Sequence, residues 1–285
     1  MDRIEIFDSH RPLLFSIAYR MLGSAMDAED LVQETFVRWQ STSEAIESPK
    51  AYLAAITTRL CIDHLRSAKV QREEYIGPWL PEPIMTETPA DSAALAESLS
   101  IAFLVVLESL SPVERAVFLL REVFDYGYEE IARIVEKSEA NCRQMAKRAK
   151  EHLAARRPRF EARREEQERL LFQFGRACAT GDMSGLLGLL SEDIIAYSDG
   201  GGKAGVARKP IFGPNKVARF MLAVLRKMPA TLAYTFGTVN GQSAVIGYVD
   251  GQPYNVILLD VAEGRIRRIY SILNPEKLKR ITPQI

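Results

Sequence analysis

The densest run of charge lies at residues 141–164, where nine Lys and Arg stand against two Asp and Glu. Arg143, Lys147, Arg148 and Lys150 recur there at helical spacing, and a helix carrying cations in this way is suited to a polyanion. The stretch YEEIARIVEKSEAN before it reads as a short helix, a turn and a second helix capped by Ser138. Ala132 is small where two helices must cross closely, and Ile131, Val135, Cys142, Ala146 and Ala149 can form a shared apolar seam. That pattern fits a helix-turn-helix. Asn141, Arg143, Gln144, Lys147 and Arg148 then face outward near the start of the second helix, where side chains reach base edges and phosphates in a major groove.

The opposite charge gathers upstream. Residues 1–100 carry a net charge of −7 and residues 101–140 of −4, whereas residues 165–285 carry +4 and the whole chain sums to zero. The segment DAEDLVQETFVRWQ presents Asp27, Glu29, Asp30 and Glu34 beside an apolar stripe of Leu31, Phe36 and Trp39, a surface suited to a basic protein partner. SPKAYLAAITTRLCIDHLR follows and supplies Thr58, Arg59 and Arg66. Aromatic groups and cations of this kind are what holding unpaired bases and a displaced backbone requires, although Trp39 fits a core position equally well.

Groups for covalent or acid–base chemistry are sparse. Cys61, Cys142 and Cys178 lie far apart with no CxxC pair, and each is expected to be a buried small hydrophobe. His10, His64 and His152 are scattered, so no metal site and no disulfide framework are expected. Residues 167–285 contain no histidine, and Asp182, Glu192, Asp193, Asp199, Asp250 and Asp260 form no recognisable pair. Catalysis is therefore not expected, and no cofactor is implied. Gly200, Gly201 and Gly202 with Lys203 lack the full phosphate-loop pattern and read as a tight turn.

These groups must be positioned by a chain of 285 residues, 47% hydrophobic and 26% charged, which is ordinary for globular domains and long enough for more than one. The longest apolar run, residues 101–107, is far below the roughly 20 residues that cross a bilayer. The opening MDRIEIFDSH lacks the apolar stretch of a signal peptide, so a soluble cytoplasmic protein with no membrane role is expected. Apolar residues at helical spacing over 10–39 are broken by Gly23 and Ser24, and a third helix is expected from Pro49 to about Lys69. Pro78, Pro81, Pro83 and Pro89 mark residues 71–94 as a linker. Tyr75, Ile76, Trp79 and Leu80 are poor spacer residues and are expected to dock.

Helical periodicity returns over 95–110. SPVE then places Ser111 as cap, Pro112 at the first helical position and Glu114 at the third of a helix reaching about Phe124. Further helices are expected over 128–135 and 139–157. From Gln167 the spacing predicts two short helices up to about Leu190, a turn at SDGGGK and a helix over 215–227. Strands then follow at 232–236, 243–249, 254–261 and 265–273, separated by N-G, D-G and E-G, an antiparallel meander.

With the acidic helix, a linker and the helix-turn-helix in this order, residues 8–157 resemble the extracytoplasmic-function class of bacterial RNA polymerase sigma factors. AEDLVQETF is similar to the region-2 helix that binds the polymerase clamp, and SPVERAVFLLREVFDYGYEEIARIV with the following basic helix is similar to region 4. The resemblance implies binding to core RNA polymerase at its clamp and flap, with Asp27, Glu29, Asp30, Gln33, Glu34 and Phe36 at the clamp. It further implies minus-10 contacts through Trp39, Thr58, Arg59 and Arg66, and minus-35 contacts through Asn141, Arg143, Gln144, Lys147 and Arg148. The turn departs from the family, with Glu136-Lys137 where a glycine and an apolar residue are usual, and Met145 stands where Arg is common.

YIGPWLPEP, SDGGGK and NPEKL together resemble one subgroup with a fused C-terminal domain similar to polyketide cyclases and nuclear transport factor, called SnoaL-like. This implies two all-α sigma domains at 1–70 and 95–164, and an α+β cone at 165–285. It also implies a regulatory linker docked among Tyr75, Trp79, Leu80, Asp199, Gly200, Gly201, Lys203, Asn274 and Pro275. The fused domain would then regulate in place of a separate anti-sigma protein. The rival reading is an enzyme or small-ligand sensor fused to an ordinary DNA-binding regulator, which would have no use for the acidic helix at this spacing.

Overall fold

The computed structural model describes residues 2–43, 46–73, 75–86, 98–154 and 164–283. The chain forms two compact units, one from residues 1–74 and 104–157 and the other from 75–103 and 158–285.

In the helical unit, α1 (Arg3–Leu22) opens with a capping box between Asp2 and Glu5 and ends at Gly23, whose φ of 68° is left-handed. Ser24 accepts from the Asp27 N–H and starts α2 (Ala25–Ser41), so the expected break falls on this pair. The third helix, α3 (Pro49–Glu73), begins at the expected proline and runs four residues beyond Lys69. Leu14, Ile17, Ala18, Ala28, Val32, Leu53, Ala54 and Cys61 close a core among the three.

Within the expected helix over 95–110, Ser98 and Leu99 are helical, Ser100 breaks the run and α4 spans Ile101–Leu107, while residues 95–97 lie outside the described residues. Both halves of the Ser111–Glu114 capping box form at the start of α5 (Pro112–Glu122), with Pro112 in the first turn. Next come α6 (Tyr128–Val135) and α7 (Glu139–Ala154). Glu136 ends α6 at φ 56°. This is the left-handed cap that glycine usually takes, so the departure noted in the sequence is accommodated by a strained glutamate. Ile131, Val135, Cys142, Ala146 and Ala149 are buried along the seam as their spacing predicts.

The second unit contains α8 (Arg164–Thr180), α9 (Met183–Leu189), β1 (Leu190–Asp199), β2 (Ile211–Phe212), α10 (Pro214–Leu225), β3 (Leu232–Val239), β4 (Gln242–Val249), β5 (Gln252–Ala262) and β6 (Arg265–Ile272). The strands form one sheet in the order β2-β1-β6-β5-β4-β3. Asn240-Gly241, Asp250-Gly251 and Glu263-Gly264 all have positive φ, the geometry that two-residue hairpin turns demand, and they build the meander read from the sequence. The strand β1 was not foreseen. It pairs parallel with β6, Ala196 opposite Ile269 and Asp199 opposite Ile272, a partnership with no local signal. Leu171, Phe174, Leu186, Val217, Ile194, Ile257 and Ile269 form the core between helices and sheet.

All three cysteines are buried, and burial pushes the Cys178 thiol up to about 12. No described helix is long and apolar enough to cross a membrane. Among the described residues, no group of His, Cys, Asp and Glu is placed to hold a metal ion.

Candidate functional site

The basic helix keeps its face open. Asn141, Arg143, Gln144, Lys147 and Arg148 are all exposed on α7, opposite the seam. Arg143 pairs with Glu139 at 2.8 Å and lies 4.7 Å from the centre of the Tyr128 ring, while Lys147 meets Glu151 at 3.9 Å. Exposed pairs of this kind are worth only about 0.2–1 kcal/mol, so phosphate can take over these cations at little cost. Ser138 accepts from the Asn141 N–H and fixes the start of the helix.

On α2, Asp30 and Gln33 are exposed, and Asp27, Glu29, Glu34 and Phe36 are half-buried. Asp27 faces His64 at 3.7 Å, Glu34 binds Arg38 at 2.8 Å, and the Phe36 ring packs 4.8 Å from Phe7. The apolar part of the exposed face is formed instead by Met26 and Val37, 52% and 59% exposed, which the sequence reading missed. With Asp30 and Gln33 they follow a spacing of four, three and four residues, one line along a helix. Met26 and Val37 bracketing Asp30 and Gln33 at that spacing were the available signal.

The four residues assigned to the minus-10 surface do not form one surface. Trp39 is 3% exposed and its indole N–H donates to the Arg3 carbonyl at 3.0 Å. Thr58 is fully buried. Both are core residues in this arrangement, because α3 is packed on two sides and α2 presents Trp39 to α1. Arg59 is half in water, but its Nε donates to Ile134 O at 2.9 Å and its Nη2 to Arg133 O at 2.8 Å. Those are carbonyls of the last turn of α6, which have no partner within the helix. Arg66 is exposed and pairs with Asp63 at 3.1 Å.

The linker residues meet at one carboxylate. Asp199, fully buried at the end of β1, accepts from the Tyr75 hydroxyl, the Leu80 N–H at 2.8 Å, the Gly201 N–H at 3.1 Å and the Lys277 ammonium at 2.7 Å. Lys277 also donates to Leu80 O and stands 4.2 Å from the centre of the Trp79 ring. Asn274 donates to the Tyr75 hydroxyl at 2.9 Å. Burial first, and then the bond to Asp199, push the Tyr75 phenol up. Gly201 takes φ 57°, and a Cβ there would lie 2.4 Å from Asn274 Nδ2 and 3.1 Å from the Tyr75 hydroxyl oxygen, so only glycine lets the turn approach Asn274 and the linker so closely. Gly200 is buried and its carbonyl accepts from Lys203 and Ala204, closing the tight turn expected there.

Other residues of the expected set sit apart. Lys203 pairs with Glu276 in solvent, and Pro275 is exposed. Lys277 lies within the NPEKL motif marked in the sequence, though its role was not assigned there, and a second anchorage was missed. Ile84 N–H donates to Asn240 Oδ1 and Asn240 N–H to Ile84 O, and Met85 bridges to Val239. Residues 84–86 thereby extend the sheet at β3, and Asn240 also donates to Leu99 O at 2.9 Å. N-G had read only as a turn.

The Sigma-70 region 2 family matches residues 6–70, and Sigma-70, region 4 matches residues 100–153. The ECF RNA polymerase sigma factor SigJ of Mycobacterium tuberculosis is 35% identical over 95% of this chain and 91% of its own length. The probable ECF RNA polymerase sigma factor SigI of the same species is 30% identical, over 97% of this chain and 95% of its own. The crystal structure of M. tuberculosis SigJ covers 99% of this chain and 100% of its own at 32% identity, with a TM-score of 0.79.

Proposed function

The chain belongs to the extracytoplasmic-function RNA polymerase sigma factors, and from that premise we propose how its parts divide the work. As a sigma factor it binds core RNA polymerase and recognises promoter DNA. Asp30 and Gln33, with Met26 and Val37, supply the polymerase contact on α2. Asn141, Arg143, Gln144, Lys147 and Arg148 on α7 read the minus-35 element. Arg59 and Arg66 serve the minus-10 region. The work is done on cytoplasmic DNA, and we assign the chain no catalytic step.

The SnoaL-like C-terminal domain acts as the regulator and takes the place of a separate anti-sigma protein. One observation carries this reading: a single buried carboxylate, Asp199, holds both the Tyr75 hydroxyl and the Leu80 amide of the linker. That linker is the covalent tether between region 2 and region 4. Fixing it removes freedom that the two DNA-reading regions would otherwise have. Hydrogen bonds to a charged group contribute about 1.5–3 kcal/mol each, enough to bias a two-state arrangement and still leave it reversible.

The test is transcription in vitro with purified core polymerase over a promoter library, comparing the full chain with Asp199→Asn. Output is expected to change at least several-fold while affinity for core polymerase stays the same. Identical output at every promoter would defeat the regulatory reading. Footprints that survive alanine at Arg143, Gln144, Lys147 and Arg148 together would defeat the promoter assignment.

A further inference from the structure

Between α8, α10 and the sheet lies a cavity of about 400 Å³, within the range that encloses a small organic molecule. Its wall is mostly apolar, with Phe174, Phe220, Met221, Val245, Ile257 and Leu273 contributing. The polar groups on it are few: Ser198, Tyr234, Asn255 and Ser271 are neutral, and Arg176 is the one charged side chain among the described residues that line it. At the rim, Phe172 and Phe236 are 58% and 62% exposed, with ring centres 6.3 Å apart. They give an apolar molecule a path from water.

Two features show that this space is kept open. Gly175 lies inside α8, where glycine weakens a helix, and a Cβ built there meets no heavy atom within 4 Å. Asn255 is 3% exposed and lies opposite Gly247, whose missing side chain leaves room for the amide. Asn255 Oδ1 accepts no hydrogen bond among the described residues. That oxygen is turned toward Gly247, while the Tyr234 hydroxyl meets the Asn255 side chain on the same wall and, with Ser198 and Ser271, can meet one hydrogen-bonding group of a ligand.

The same backbone serves the cavity and the linker anchor. Ser198 and Leu273 line the cavity, and the next residue after each is an anchor residue, Asp199 and Asn274. The Leu273 N–H donates to Asp199 O at 2.7 Å and joins the two. We propose that the cavity binds an uncharged, mainly apolar small molecule with one hydrogen-bonding group, and that occupancy changes how firmly the linker is held. The coupling rests on the regulatory reading above; the site does not. Arg176 is exposed, so the buried wall offers an anion no partner, and bringing a bare charge into it is costly.

Nile red, an uncharged apolar dye, is titrated into the full-length protein and then displaced with n-decanol or with decanoate in neutral buffer. One saturable site is expected, with decanol effective at about tenfold lower concentration than decanoate. Gly175→Leu fills the open space, and Val224→Phe narrows it from α10. Each should weaken dye binding about tenfold, equivalent to 1.4 kcal/mol, and Gly175→Leu should melt no lower than the parent because it removes a helix-interior glycine. Absence of saturable binding overturns the site, as does binding that neither variant weakens, or decanoate competing as well as decanol.

Hydrogen exchange at the Leu80 amide reads the coupling separately. Protection should change by about threefold or more with decanol. Unchanged protection in a protein that binds decanol overturns the coupling and leaves the site standing. Failure of the regulatory reading has a different signature, Asp199→Asn transcribing like the parent.

Discussion

Replacing Asp199 with Asn keeps the shape of the anchor and removes its charge. The carboxylate accepts from Tyr75, Leu80, Gly201 and Lys277. The Lys277 side chain is only 12% exposed where it meets Asp199. Breaking a buried pair by removing one partner costs about 3–5 kcal/mol. Part of this is recovered, since the asparagine oxygen still accepts and Lys277 keeps Leu80 O and the Trp79 ring. About 3 kcal/mol of weaker linker anchorage is the working figure, and at 1.4 kcal/mol per factor of ten it makes local opening roughly 100-fold more frequent. Native-state hydrogen exchange measures it directly, because the Leu80 N–H is bonded to the altered carboxylate. Its exchange should accelerate by about that factor, while amides of β5, paired on both sides, change far less. Adding Lys277→Met should restore much of the protection, because a pair removed together leaves no buried charge behind. Leu80 exchange within about threefold of the parent would refute the reasoning. So would an equal acceleration at Leu80 and throughout β5.

Reversing Asp30 and Glu34 to Lys should weaken core polymerase binding about tenfold with unchanged circular dichroism, since α2 would meet a basic partner with the wrong sign; a titration of labelled protein against core enzyme checks it. Lys147→Ala should flatten the salt dependence of promoter binding by about one unit at every sequence, whereas Gln144→Ala should cost about 1–3 kcal/mol at one base position only. Burial holds the Asp260 carboxyl up at about 6 against an ordinary 3.8, partly offset by Arg268. The folded state therefore takes up a proton between pH 6 and 4 that the unfolded chain takes up only below that window. This stability is present at low pH and is lost as pH rises through 6, about 3 kcal/mol at 1.36 kcal/mol per pH unit. Asp260→Asn should accordingly raise the neutral-pH melting temperature and flatten the pH dependence seen by calorimetry. Glu136→Gly should stabilise the helical unit by about 1 kcal/mol in urea titration, because glycine takes the left-handed cap without strain.

Much of the architecture is legible in local chemistry. Ser111, Pro112 and Glu114 announce a helix start because the three groups satisfy backbone donors within one turn of each other, and Asn240-Gly241 announces a hairpin because few other dipeptides take that backbone. The strand β1 is not legible. LSEDIIAYSD has two adjacent carboxylates and a short helix directly before it, and its strand character comes from β6, some seventy residues later. Trp39 and Thr58 were misplaced for a related reason. Their types suit unpaired bases, but α1 and the packing on both sides of α3 decide that they are interior, and a single helix's pattern does not reveal how many neighbours it has. Asp199 and Tyr75 were marked by their setting, whereas Lys277 was marked only as part of NPEKL, where nothing local separates it from a surface lysine. Only the fold shows which lysine lies beside a buried carboxylate.

Arg59 closes the last turn of α6 through two carbonyls, and on the function proposed above the same cation is asked to hold minus-10 DNA. One guanidinium cannot serve both at once. The helix end and the displaced strand are thus competitors for the same group, and the arginine contributes to the starting state as well as to the product. Substituting it removes a term from each side, so the equilibrium constant for promoter engagement hides most of its importance. The rates do not hide it: a variant at this position should leave its resting arrangement sooner and fall off the melted promoter sooner. Affinity would call the residue dispensable, while the lifetime of the open complex would show its role.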